Sequence, residues 1–434
     1  MTADTTNPYG QMWEELGLNL RSHCALLDAL GPMYANAFLS QASRPKGMEY
    51  FDFVISEIHG LRIKELQEHK AAGGKVVGTF CLYVPEEVIR ALGAVSIGLC
   101  AGVEWGTNEV ERYLPRNTCA LIKSFVGFKL GRVCPYVESA DLVIGETTCD
   151  GKKKAYEIFG EMAPTYVMEL PQMKRPNDLA LWRAEIDRLV ERLEELTGNE
   201  LTADALAKAT REVNDKRRAL QRLNAARAAA PAPISGLDAL LAVQVAFYDD
   251  VARFTQMVNA VADELEARAA AGEGVAPADA PRVLVTGSPM AIPNWKVHDV
   301  IEKSGGVVVA EEMCTGSRYY DTLVPETGGG VDEQLNAIAA KYLGINCACF
   351  TPNAGRLDDV LRLARDTKAD GIVHCALQFC APYQIEAYSV EKAAEAAGIP
   401  VLRIDTDYSA EDLGQLRTRV EAFLEMIEPA TDVA

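Results

Sequence analysis

The sequence predicts an α/β fold: two parallel-sheet α/β domains, with an N-terminal helical segment and a helical insert between them. Three observations carry this. Short β-rich runs alternate with helical stretches at the spacing of parallel strand–helix units. The alternation occurs twice, over 71–170 and over 281–434, with a charged helical stretch at 171–280 between. The length, 434 residues, is too great for one compact core and suits two or three domains.

Residues 1–70 read as helical. Trp13, Leu16, Leu18, Leu20, Leu26, Leu27 and Leu30 give one apolar face, and Phe51, Phe53, Val54, Ile58, Leu61 and Ile63 a second. The period changes at Lys75. Val76–Phe80 is a short β-rich run, after which Pro85-Glu86-Glu87 opens a helix with proline and acids in its first turn. Ala94–Leu99, Asp141–Gly145 and Thr165–Leu170 follow as strands, giving a flavodoxin-like parallel sheet covered on both faces.

From Asn177 the pattern is helical and charged. Leu179, Trp182, Ile186, Leu189, Leu193 and Leu196 form one amphipathic stripe. Gly198-Asn199 ends that helix and Thr202 caps the next. The Pro/Ala stretch Ala228–Pro233 and the segment Ala269–Ala280 read as turns or linkers. Strands resume at Arg282–Gly287, Val307–Ala310, Gly371–His374 and Val401–Asp405, and build the second sheet.

Hydrophobic residues make up 49% and charged residues 24%, which excludes disordered and low-complexity classes. Lys+Arg total 43 against 62 Asp+Glu, a net charge of −19. A surface that acidic repels phosphate backbones, so neither nucleic acid nor an anionic membrane is expected as a partner. The first residues lack a basic and apolar leader, and no apolar run reaches membrane-spanning length, so a cytoplasmic location is expected.

Eleven cysteines in a reducing compartment point to metal or redox work rather than disulfides. Five histidines are too few for a His-based centre. There is no CxxC pair of a zinc knuckle and no closely spaced ferredoxin run, so a site must assemble from distant loops. Ten of the cysteines lie in the two α/β units, many beyond strand ends, where open α/β sheets bind ligands. Cys24, Cys100 and mid-strand Cys375 read as core; jointly the loop cysteines point to iron–sulfur ligation.

Gly78-Thr79-Phe80-Cys81 with Val84-Pro85-Glu86-Glu87, then Cys119–Ser124, the segment DLVIGETTCDGKKK at Asp141–Lys154, and Asp370 through Cys380 resemble the 2-hydroxyacyl-CoA dehydratase and benzoyl-CoA reductase superfamily. The likeness runs from about residue 60 to the C-terminus. Cys134-Pro135-Tyr136, Cys314-Thr315-Gly316, Cys347-x-Cys349 and Ile404–Ser409 look like its double-cubane cluster branch. The resemblance implies one [4Fe–4S] cubane on Cys81, Cys119 and Cys380. It implies a second, sulfide-bridged to the first as an [8Fe–9S] cluster, on Cys134, Cys314 and Cys349, with Cys347 and Cys149 in reserve. It further implies a homodimer, a separate ATP-hydrolysing [4Fe–4S] activator protein, an anaerobic setting and low-potential reduction of a small substrate. The alternative it carries is a 2-hydroxyacyl-CoA dehydratase subunit with a single [4Fe–4S] cluster, eliminating water through a ketyl radical; the surplus of loop cysteines weighs against that.

This chain is not expected to hydrolyse ATP, because five residues separate Gly145 from Gly151 where a phosphate loop needs four. Lys152-Lys153-Lys154 reads as a solvated helix start. Glu146, His374, Gln378 and Tyr383 are further catalytic candidates, as neighbours of strand ends or of Cys380.

Overall fold

A computed structural model describes residues 7–428. Residues 1–6 of the expected N-terminal helical segment, and 429–434 at the end of the second expected unit, lie outside the described residues.

Two four-stranded parallel sheets organise the chain, each flanked by helices. The first contains β1 (Lys75–Thr79), β2 (Ala94–Gly98), β3 (Leu142–Glu146) and β4 (Thr165–Met168), in spatial order β2-β1-β3-β4. The second contains β5 (Arg282–Gly287), β6 (Val307–Glu312), β7 (Gly371–Leu377) and β8 (Val401–Thr406), in the same order, β6-β5-β7-β8. Each sheet therefore has a switch point, between β1 and β3 and between β5 and β7, where loops diverge and leave a crevice at the carboxyl ends of the strands. Every residue of β3, β5, β6 and β7 is buried, as strands covered on both faces must be.

Close backbone approach brings the strand ends together. Gly287 ends β5 with φ +131°, and a Cβ there would lie 1.9 Å from the Cys375 carbonyl oxygen. Gly102 donates its N–H to the Ile292 carbonyl at 2.9 Å, joining the loop after β2 to the loop after β5. A Cβ at Gly102 would stand 2.1 Å from the Ala291 oxygen, so only glycine lets the two halves meet there.

The stretch between the sheets is helical, at Pro176–Thr197, Ala203–Ala225, Gly236–Val245 and Val251–Ala271. Gly198 terminates the first with φ +73°, and the Thr202 hydroxyl caps the second by accepting from the Ala205 N–H at 3.2 Å. Far from being a peripheral insert, Gly236–Val245 is buried along its whole length, in a core continuous with both sheets. Two residues leave their expected faces. Leu179 is 36% exposed and Phe53 51% exposed.

Ion pairs tie the helical layer to both halves. Arg217, fully buried, donates to Glu87 at 2.6 Å and to the Tyr342 hydroxyl at 2.9 Å, linking the Ala203–Ala225, Glu86–Ala91 and Val331–Gly344 helices. Arg227 makes a second buried pair with Glu311 on β6 at 2.6 Å. Among the described residues no helix is long and apolar enough to cross a membrane.

Candidate functional site: a cavity walled by thiols

The carboxyl ends of both sheets open into one cavity of about 880 Å3, within the size range of small-molecule and cofactor sites. Eight of the eleven cysteines line it: Cys81, Cys100, Cys119, Cys149, Cys314, Cys347, Cys349 and Cys380. All are free thiols. The strand pattern explains the convergence: Cys81 follows β1, Cys100 follows β2, Cys149 follows β3, Cys314 follows β6 and Cys380 follows β7.

Seven of these thiols fall into two groups. In the first, Cys119, Cys149 and Cys380 are the N-cap residues of the Ala120–Gly131, Asp150–Gly160 and Ala381–Ala396 helices. Three helix N-termini thus face one cavity, and their partial positive charge favours thiolate. Cys380 and Cys119 act on each other's titration. Cys380 pulls Cys119 below the usual thiol range against the cost of burial, with help from the Leu121 and Ile122 N–H groups. Cys119 and burial push Cys380 up. The Lys152 N–H donates to the Cys149 sulfur at 3.5 Å.

In the second group, Cys81 and Cys314 act on each other's titration, as do Cys347 and Cys349. All four act on the buried Tyr83 hydroxyl, which burial, and then their charge, push far up. Cys347 is pulled well down by Cys349, by the Arg318 charge and by Tyr383. Its sulfur lies 3.4 Å from the Tyr383 hydroxyl, and Arg318 Nη1 reaches the Cys314 sulfur at 3.9 Å. Arg318 is held in turn by Glu312, at 2.5 Å and 2.8 Å, and Glu312 also accepts from Arg356 at 3.1 Å. This buried network fixes the side chains behind Cys314 and Cys347.

The Cys347–Cys349 loop is clamped from the helical layer. Lys174 Nζ donates to the Ile345 oxygen at 2.9 Å, the Gly344 oxygen at 3.1 Å and Asn346 Oδ1 at 2.5 Å. It also lies 4.4 Å from the Phe350 ring centroid. Asn353 donates to the Cys347 carbonyl at 3.0 Å.

Of the six cysteines assigned from the resemblance, Cys81, Cys119, Cys314, Cys349 and Cys380 meet at this cavity, as do both reserves, Cys149 and Cys347. Cys134 does not line it. It caps the short Pro135–Ser139 helix behind the cavity wall, next to Tyr136 and Tyr248, where burial pushes its thiol up to about 11. Cys100 lines the cavity but donates its S–H to the Phe80 carbonyl at 2.8 Å. Cys375 is buried in β7, and Cys24 does not reach the cavity.

The family model for the 2-hydroxyglutaryl-CoA dehydratase D-component matches residues 81–427. The chain belongs to that family. Within this dehydratase family it is similar to the putative dehydratase subunit YjiM of Escherichia coli, 40% identical over 380 residues that cover 86% of this chain and 97% of that one. It is 25% identical to the (R)-phenyllactyl-CoA dehydratase beta subunit of Clostridium sporogenes, over 84% of this chain and 95% of the relative. It is likewise 25% identical to the (R)-2-hydroxyglutaryl-CoA dehydratase subunit beta of Acidaminococcus fermentans, over 83% and 95%.

Among the catalytic candidates, Tyr383 lines the cavity of this dehydratase-family chain and touches a thiol, whereas Gln378 is exposed and does not line it. His374 is buried in β7, where burial and the Arg356 charge drive its pKa down to about 3, leaving it neutral and out of reach of solvent. Glu146 is fully buried at the end of β3 beside Lys152. Lys152 itself corrects the sequence reading. Lys154 is solvent-exposed and Lys153 half so, but Lys152 is only 8% exposed and lines the cavity, because the helix turns that one side chain inward. Arg318 and Lys174 carry no sequence signal that singles them out; they matter through what they touch.

Proposed function

We propose that the chain is the cluster-bearing subunit of a low-potential iron–sulfur reductase of this dehydratase family, with an [8Fe–9S] double cubane in the thiol-walled cavity. The observation that carries the reading is that eight free thiols, contributed by the strand-end loops of both sheets, line one cavity. Among the described residues no three His, Cys, Asp or Glu side chains converge as they would on a single metal ion. A cubane asks for something different, because its thiolates take separate corners of the cluster. The donors present fit that demand.

On this reading Cys119, Cys149 and Cys380 hold one cubane, and Cys81, Cys314 and either Cys347 or Cys349 hold the other. Cys149 thereby replaces Cys134 in the set implied by the resemblance, since it is Cys149 that lines the cavity, and Cys81 moves from the cubane of Cys119 and Cys380 to that of Cys314. When bound, the cluster supplies one-electron chemistry at very negative potential. The chain's own contribution is orientation and exclusion of water. Arg318 and Tyr383 hold Cys314 and Cys347, and Lys174 holds the loop that carries Cys347 and Cys349. Ile292, Leu121 and Phe247 add apolar surface to the wall. Electrons come from a separate ATP-hydrolysing [4Fe–4S] activator, and the working form is a homodimer.

A second reading is favoured by the relatives, which are named as dehydratase subunits. Here the chain is a 2-hydroxyacyl-CoA dehydratase subunit with one [4Fe–4S] cluster and a different partner subunit. Iron and acid-labile sulfide per chain, measured on anaerobically purified protein, separate the two. About eight irons support the double cubane, and about four support the dehydratase. Zinc in place of iron overturns both.

A further inference from the structure

Lys152 is a lysine in an unusual position. A lysine is almost never this deeply buried without a close partner, because its ammonium must give up its hydration. Its charged neighbour is Glu146, whose side chain is fully buried and whose Oε2 stands 3.7 Å from Lys152 Nζ, outside hydrogen-bond distance. Neither Glu146 oxygen has a hydrogen-bond partner among the described residues. The Tyr156 ring, with its centroid 5.7 Å away, adds a weak cation–π contact.

The ammonium therefore has the Glu146 ion pair, too long for a hydrogen bond, on its protein side, while on its open side it lines the thiol cavity. Its charge acts on the Cys81 and Cys100 thiols. The other cations beside the thiols differ: Arg318 is committed to Glu312 by two short hydrogen bonds, and Lys174 to Gly344, Ile345 and Asn346. Lys153, one residue on, does not line the cavity and pairs with Asp150 at its rim at 2.6 Å. Lys152 is thus a positive charge held in a low-dielectric wall and left facing the place where negative charge collects.

We infer that Lys152 is a positioning residue for charge: its ammonium stabilises the electron-rich state of the cluster held beside Cys81 and so sets the reduction potential of that cluster. This rests on the iron–sulfur reading given above. One electron entering the cluster adds one unit of negative charge, and a fixed cation nearby favours that state. A carboxylate or an apolar side chain at 152 would disfavour it.

The test is a mediated, anaerobic redox titration of the iron-loaded protein, followed by electron paramagnetic resonance, on the wild type and on Lys152→Met, Lys152→Gln and Lys152→Arg. Both neutral variants are expected to shift the midpoint negative by the equivalent of about a tenfold or larger change in the reduction equilibrium, ~59 mV for one electron. Lys152→Arg keeps the charge and stays near the wild type. Loaded neutral variants with an unchanged midpoint overturn the inference, as does an arginine variant that shifts as far as the methionine one. Loss of iron from the neutral variants but not from Lys152→Arg again assigns the role to charge. Equal loss of iron from all three makes Lys152 a packing residue and overturns it. A wild type that binds no iron fails the iron–sulfur reading itself, a separate result.

Discussion

Cys119 and Cys380 line the same cavity, although one opens a helix that follows the first sheet's β2 and the other a helix that follows the second sheet's β7. With Cys149 they form a set of three N-cap thiols that share one cavity wall. On the proposed double-cubane reading, their separation from Cys81 and Cys314 predicts how metal content responds to substitution. Cys149→Ala is expected to lose about half of the iron, as is Cys81→Ala, while Cys134→Ala keeps all of it. Iron and sulfide analysis of the three variants, purified side by side without oxygen, checks this.

Lys174 holds the Cys347–Cys349 loop through three hydrogen bonds from one ammonium. Lys174→Met removes all three and leaves the Gly344 carbonyl without its donor, while the Ile345 carbonyl keeps the Tyr83 hydroxyl at 3.2 Å. A stability loss of roughly 1–3 kcal/mol is expected from chemical denaturation. Iron should also leave the loaded variant faster in the presence of a chelator, with the spectroscopic signature of one cubane fading before the other.

Arg217 and Glu87 form a fully buried pair between the helical layer and the first α/β half. Arg217→Met strands the Glu87 carboxylate, which the Arg217 charge otherwise holds below its usual range against the cost of burial. The expected loss is about 3–5 kcal/mol. Arg217→Met with Glu87→Gln removes both charges and should recover much of it. Thermal unfolding of the single and double variants gives the comparison, and equal destabilisation of the two would show that the pair contributes packing alone.

His374, 1% exposed in β7, has its pKa driven down to about 3 by burial and by the Arg356 charge. Between pH 6.5 and 3 the unfolded chain binds a proton there and the folded chain does not. Stability from this site is complete above pH 6.5 and is lost as pH falls through that window, with a slope of about 1.4 kcal/mol per pH unit. Replacing the group with a non-titrating one, His374→Gln, should flatten the acid limb of the stability curve by that slope in denaturant titrations run from pH 7 to pH 4.

The strands were the most legible part of the sequence. Val76–Phe80 and Arg282–Gly287 match β1 and β5 to within a residue, because continuous β-branched runs bounded by glycine leave little choice of element. The stretch Gly236–Val245 was less legible. By position it belongs with the charged connector, yet every residue in it, Asp238 and Gln244 included, is buried in the core. Lys152-Lys153-Lys154 reads as solvent-facing, and for Lys153 and Lys154 that reading matches the structure. Only the docking of the Asp150–Gly160 helix against β3 turns Lys152 into the cavity.

The sequence by itself determined that this protein has two parallel α/β units with cysteines placed just past their strand ends, since hydrophobic period and residue type are local properties that dictate which segments pair and where loops begin. The tertiary structure alone decided which thiols meet. Cys134 and Cys149 have similar settings, each just ahead of a helix, but the first turns into the core beside Tyr248 and the second into the cavity with Cys119 and Cys380. Direction and distance between residues far apart in the chain depend on how whole elements pack, and no local pattern encodes that.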